Sequence, residues 1–143
     1  MTYTVGVDVG GTKISAGLVN ELGHLVARDR TESPATDPAE NVRTIGELVR
    51  SLVGSHEVEA VGVCAAGFVD KQGAVVVFAP NLAWRDEPLK EHLQSELDLP
   101  VVVENDANSA AWGEFRFGAG HDVDDLMLVT VGTGVGGWLV LDG

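Results

Sequence analysis

The chain has 143 residues, enough for one compact domain, or for one domain and part of a second, and too few for a large multidomain machine. Nine Lys plus Arg against twenty-two Asp plus Glu give a formal charge of −13, which excludes a general phosphate-backbone binder and a charge-held anionic-membrane protein. The single cysteine, Cys64, rules out an internal disulfide and a zinc site of paired cysteines, and it fits a reducing cytoplasm.

From Met1 to Asp8 there is no basic stretch or apolar leader core, and no run of about 18 apolar residues occurs anywhere. A cytoplasmic protein is the expectation. Glycine is over-represented, at 18 of 143 residues against a usual share of about 7%, with no collagen period or low-complexity tract to account for it. These glycines are expected in particular turns.

In chain order, apolar runs at Tyr3 to Val9, Lys13 to Val19 and His24 to Thr31 predict three strands, with Asn20-Glu21-Leu22-Gly23 as a hairpin turn. Asp37-Pro38-Ala39-Glu40 places a cap, a first-turn proline and a carboxylate ahead of Val42, Ile45, Leu48, Val49, Leu52 and Val53 at helical spacing, with Gly54 as the stop. A strand is predicted at Val58 to Ala65, then a turn through Gly67 and Gly73 into a short strand at Ala74 to Phe78. After the loop Ala79 to Trp84, Pro88 opens a helix carrying Leu89, Leu93 and Leu97, and Val101 to Val103 reads as a buried strand. A small-residue helix runs from Asn105-Asp106 toward Phe117. Gly118 to Gly120 reads as a hinge or domain boundary, and strands at Leu126 to Val131 and Trp138 to Leu141 follow. Helices between single strands call for parallel pairing, so the class is α/β. The last hairpin resembles the start of the first three-strand unit, a weak internal repeat.

Asp8-Val9-Gly10-Gly11-Thr12-Lys13 sits at a hairpin tip, where two glycines bring the backbone close to a ligand and present N–H groups to phosphate. It is not a Walker A loop: Thr12 and Lys13 come in reversed order and a strand follows. The alternative is a tight turn in which Asp8 bonds its own backbone. Gly132-Thr133-Gly134-Val135-Gly136-Gly137 contains G-x-G-x-x-G, but Trp138-Leu139-Val140-Leu141 follows where a dinucleotide fold needs a helix. A second phosphate-gripping hairpin tip accounts for it better.

Glu104-Asn105-Asp106-Ala107-Asn108 lies where a strand gives way to a helix, the place where open α/β sheets bind ligands. There a carboxylate can act as a base, or Asn105 or Asp106 can serve only as a helix cap. Asn81 offers a donor and an acceptor to a polyhydroxylated ligand, Trp84 reads as a cover for its loop, and Gly67 allows close backbone approach. The four histidines have no metal-site spacing, Cys64 reads as a buried small apolar residue, and Asp122, Asp124 and Asp125 read as a solvated loop.

These segments, with Gly62 to Asp70 and Asn81-Leu82-Ala83-Trp84, stand in the order and approximate spacing found in the ROK sugar kinases. The whole chain resembles that family, and the Asn81 loop and the Glu104 to Glu114 run are most similar to its bacterial ATP-dependent glucokinases. The resemblance implies the actin-like ATPase, ribonuclease H-like fold of sugar kinases, a mixed sheet flanked by helices. It divides the chain into a small N-terminal domain, 1–117, and the incomplete start of a larger one, 118–143. It also implies phosphorylation of glucose at the 6-hydroxyl with ATP and Mg²⁺. Asp106 would be the base; Gly67, Asn81, Asn105 and Asp106 would contact sugar. Gly10, Gly11, Thr12, Thr133 and Gly134 would contact ATP phosphates, and Asp8 would position Mg²⁺ through water. Lys13 would contact phosphate or pair with a nearby carboxylate. Trp138 departs from the small residue usual at its position. Family members are about twice this length, and their Glu-x-Gly-His motif, cysteine-rich zinc motif and adenosine site are not in this stretch. The 143 residues alone are therefore expected to be inactive. N-acetylglucosamine, N-acetylmannosamine or fructose as substrate, a noncatalytic sugar-binding regulator, and a homo-oligomer of the intact protein all remain open. The regulator is disfavoured by the charge and by the lack of room ahead of Asp8 for a DNA-binding helix-turn-helix.

Overall fold

Alternating valines set the first sheet. In strand β1 (Tyr3–Val9) the side chains of Val5, Val7 and Val9 are buried, while Thr4, Gly6 and Asp8 face the other way and are exposed. Strand β2 (Lys13–Asn20) repeats the pattern with Ile14, Ala16 and Leu18 inside, and β3 (Leu25–Glu32) completes an antiparallel meander. The computed structural model describes residues 1–132 and 134–143.

Helix α1 (Pro38–Val53) begins as the sequence predicts: Asp37 accepts the Glu40 N–H at 3.0 Å, and Pro38 occupies the first turn. Only half of the capping box forms, because the Glu40 carboxylate turns to Arg43. The buried stripe Val42, Ile45, Leu48, Val49 and Leu52 lies on β1, β2 and β3, and Gly54, at φ 49°, ends the helix.

Strand β4 (Val58–Ala65) pairs in parallel with β1, burying Val61, Val63 and Ala65. The five-stranded sheet has the order β3-β2-β1-β4-β8, where β8 is Val101–Asn105. It is mixed, since β1 is antiparallel to β2 and parallel to β4. Helix α2 (Leu89–Leu97) buries Leu89 and Leu93 and packs on α1, where Arg50 bridges to Glu96 at 2.7 Å.

Between β4 and α2 lies a small antiparallel sheet of β5 (Phe68–Val69), β6 (Val76–Phe78) and β7 (Arg85–Glu87). The sequence reading differs here: Phe68 and Val69 form a strand rather than only a turn, β6 starts at Val76 rather than Ala74, and β7 was not predicted. Arg85-Asp86-Glu87 has no apolar alternation to mark it, and Asp86 sits at φ 48°.

By contacts the chain forms two units, Met1–Glu104 and Asn105–Gly143. In the second, helix α3 (Asp106–Phe117) packs on a hairpin of β9 (Leu126–Val131) and β10 (Val135–Val140). Strand β10 begins three residues earlier than the expected Trp138. Gly136 and Gly137 are strand residues where space is tight: a Cβ at Gly136 would lie 2.8 Å from Thr130 Oγ1 and one at Gly137 3.2 Å from the Leu128 carbonyl.

Candidate functional site

The tip between β1 and β2 closes through the Gly10 N–H, which donates to the Lys13 carbonyl at 2.9 Å. The Thr12 carbonyl accepts the Ser33 N–H at 2.9 Å, tying the tip to the segment that enters α1. A Cβ on Gly11 would lie 2.8 Å from both the Cβ and the carbonyl oxygen of Asn81. Glycine thus lets the tip rest directly on the Asn81 loop. Asp8 stands on the exposed face of β1, in register with Ser15 on β2 and Cys64 on β4, and the Cys64 thiol donates to its Oδ1 at 3.6 Å. Cys64 is therefore half-buried beside a carboxylate, not a core residue as the sequence suggests. Lys13 is paired in register with Glu32, its Nζ 4.0 Å from that carboxylate across an exposed surface.

The Asn81 loop belongs to the same unit. Its Leu82 N–H donates to the Ala79 carbonyl at 3.3 Å, and its Ala83 N–H donates to the Ala35 carbonyl at 2.8 Å. Asn81 is exposed, whereas Leu82 and Trp84 are buried beneath it. Trp84 is 1% exposed, which makes it the cover of the loop and not a stacking surface for a ligand. Gly67 runs close under the loop's start: a Cβ there would lie 2.7 Å from the Phe78 carbonyl. Arg85, which the sequence reading passed over, donates through Nη1 to the carbonyls of Ala79, Leu82 and Trp84 at 3.3, 3.1 and 2.6 Å.

In the second unit the hydrogen bonds settle which residue caps α3. Asn105 is the cap, its Oδ1 accepting the N–H groups of Ala107 at 2.9 Å and Asn108 at 3.2 Å. Asp106 is the first helical residue, exposed, with Oδ1 accepting the Ala107 N–H at 2.9 Å. A Cβ on Gly136 would come within 3.4 Å of the Ala107 Cβ, so the glycine hairpin lies against the first turn of α3. Gly134 is at the exposed hairpin tip, its carbonyl accepting the Gly132 N–H at 2.9 Å; Thr133 lies outside the described residues. Asp125 accepts the Asp142 N–H at 3.0 Å, and Asp122 and Asp124 are exposed. Among the described residues no group of three or more His, Cys, Asp or Glu could hold a metal ion, and no helix is long and apolar enough to cross a membrane.

Residues 4–143 match the ROK family throughout. The chain belongs to the ROK family. This ROK chain is 48% identical over 141 residues to a glucokinase of Streptomyces coelicolor, an alignment that covers 99% of the chain and 44% of that protein. It superposes on the crystal structure of a ROK family glucokinase from Streptomyces griseus in complex with glucose and AMPPNP, with a TM-score of 0.91 and 50% identity. That match covers 98% of this chain and 45% of the other. A xylose repressor of Bacillus subtilis is 31% identical over 139 residues, covering 94% of this chain and 36% of the repressor. The ROK chain thus spans less than half the length of these relatives, and its fold is the actin-like ATPase fold of the ROK sugar kinases.

Proposed function

We propose that the intact protein transfers the γ-phosphate of ATP to the 6-hydroxyl of glucose. The observation that carries this reading is the placement of Asp106: an exposed carboxylate on the first turn of α3, directly after a capping Asn105, in a chain half identical to a glucose-bound glucokinase. In the proposed step Asp106 takes the proton of the 6-hydroxyl as the sugar oxygen bonds to the γ-phosphorus, and the bond to the β–γ bridging oxygen breaks to release ADP. Asn105, whose Oδ1 accepts the cap hydrogen bonds, is assigned to a further sugar hydroxyl. Asn81 and the Gly67 backbone hold other hydroxyls.

Gly10, Gly11, Thr12, Thr133 and Gly134 are assigned to the ATP phosphates, with Lys13 as a further candidate. Asp8 fits a water-mediated Mg²⁺ contact, being an exposed carboxylate on the strand that leads into the Gly10-Gly11 tip. A single carboxylate ligand suits an ion that completes its shell with water and phosphate oxygens. Mg²⁺ bound there supplies positive charge to the phosphates. In the intact enzyme we place 1–117 in the small domain and 118–143 at the start of the larger one, in the cytoplasm.

A coupled assay on the intact gene product with glucose, N-acetylglucosamine, N-acetylmannosamine and fructose tests the reading. Glucose is expected to be phosphorylated fastest, and Asp106→Asn to lower kcat by about a hundredfold or more. A rate undiminished in Asp106→Asn overturns the assignment of the base. The similarity to a xylose repressor favours a second reading, a noncatalytic sugar-binding regulator. Sugar affinity without phosphorylation by the intact protein would establish it instead. Residues 1–143 alone are expected to give no substantial turnover in the same assay.

A further inference from the structure

We propose that Arg85 is the positioning residue of the Asn81 loop, fixing the carboxamide of Asn81 where a hexose hydroxyl meets it. The inference rests on the hexose-binding reading above and names a residue that reading does not use.

Three backbone carbonyls of the loop, those of Ala79, Leu82 and Trp84, converge on one nitrogen, Arg85 Nη1. The Ala79 carbonyl also accepts the Leu82 N–H, and an irregular loop has no ladder to supply donors to carbonyls such as those of Leu82 and Trp84. One guanidinium nitrogen carries two hydrogens, so three acceptors within 3.3 Å share them, with the 2.6 Å bond to Trp84 the shortest. The rest of the guanidinium lies over the Phe78 ring, Cζ 4.2 Å from its centroid, and Phe78 pairs with Arg85 across β6 and β7. Among the described residues no carboxylate forms an ion pair with Arg85, in a chain with 22 acidic residues. Its charge is directed to the loop.

The loop is held besides by the close approach of Gly11, by the Leu82 N–H on the Ala79 carbonyl and the Ala83 N–H on the Ala35 carbonyl, and by the burial of the Leu82 and Trp84 side chains. Arg85 is the residue whose side chain donates hydrogen bonds to the loop backbone on both sides of Asn81, so its removal is expected to loosen the loop while the buried side chains keep it in place. Lysine cannot replace it, since an ammonium neither stacks flat on Phe78 nor presents the same planar fork.

The test uses the intact gene product and the variants Arg85→Met, Arg85→Lys, Asn81→Ala and the Asn81→Ala/Arg85→Met double variant. Arg85→Met is expected to raise the hexose KM about tenfold, with the ATP KM and the thermal midpoint nearly unchanged, and Arg85→Lys to recover only part of the loss. In the Asn81→Ala background Arg85→Met should add little, because both changes act on one contact. A hexose KM unchanged in Arg85→Met, or full additivity with Asn81→Ala, overturns the proposal. If Arg85→Met does not fold, the Arg85→Lys series decides by the same criteria. If the wild-type protein binds hexose without phosphorylating it, the kinase reading fails and the hexose Kd replaces KM in the same comparison. If it binds no hexose, both fall.

Discussion

Glycine has two distinct uses in this chain, separable residue by residue. At Gly11 and Gly67 an added methyl meets backbone at 2.8 and 2.7 Å, whereas at Gly6 and Gly62 it meets nothing within 4 Å. Gly11→Ala and Gly67→Ala are therefore expected to cost about 1–3 kcal/mol in urea unfolding, with weakened hexose binding in the intact protein. Gly6→Ala and Gly62→Ala should be neutral, or stabilising by up to about 1 kcal/mol, through reduced freedom of the unfolded chain. Asp70 supplies a pH-dependent counterpart. Its carboxylate accepts the N–H groups of Ala74 at 2.7 Å and Val75 at 2.9 Å, and these bonds hold its pKa below the ordinary aspartate value. The resulting stabilisation is complete above that ordinary value and is lost as pH falls through the lowered one. In a carbon-detected NMR titration Asp70 should protonate below the ordinary aspartate value; protonation at or above that value would contradict the turn geometry.

Among the elements, helix starts are where local chemistry speaks most clearly. Asp37→Ala removes the side-chain acceptor of the Glu40 N–H and should lower unfolding stability by about 1 kcal/mol, as read by urea midpoint at constant slope. The cap of α1 was legible because Asp, Pro and Glu occur together ahead of a clean apolar stripe, and β1, β2 and β4 because they are apolar runs bounded by turn residues. The sheet of β5, β6 and β7 was not legible. Its strands are two or three residues long, so no period can be established, and Arg85-Asp86-Glu87 looks like solvated charge until Phe78 is brought alongside. The same limit hid Arg85: its role depends on three carbonyls that converge only once the loop is folded. At Asn105-Asp106 the sequence left the cap open between the two residues, because both types lead the capping ranking. The hydrogen bonds from Ala107 and Asn108 to Asn105 assign the cap.

At the scale of the whole molecule the two units differ in how they are held. The first has a five-stranded sheet with a buried face under α1; the second has a two-stranded hairpin on one helix. From Leu126 to Leu141 there is no charged residue, and Met127, Val131 and Val135 are 72%, 81% and 78% exposed. A hairpin with so little cover is marginal. Amide exchange is expected to be much faster in β9 and β10 than in β1 and β4, and light scattering of the 143-residue chain should rise with concentration despite its charge of −13. Protection equal to that of β1 would contradict this contrast. Finally, Ser33 and Ala35 hold the Gly10-Gly11 tip through the Thr12 carbonyl and the Asn81 loop through the Ala83 N–H. Surface connections ordinarily tolerate changes in length, but this one is a shared anchor. A single residue inserted between Glu32 and Pro38 would shift one attachment relative to the other, so descendants of this chain can vary the chemistry of either loop far more freely than the spacing that joins them.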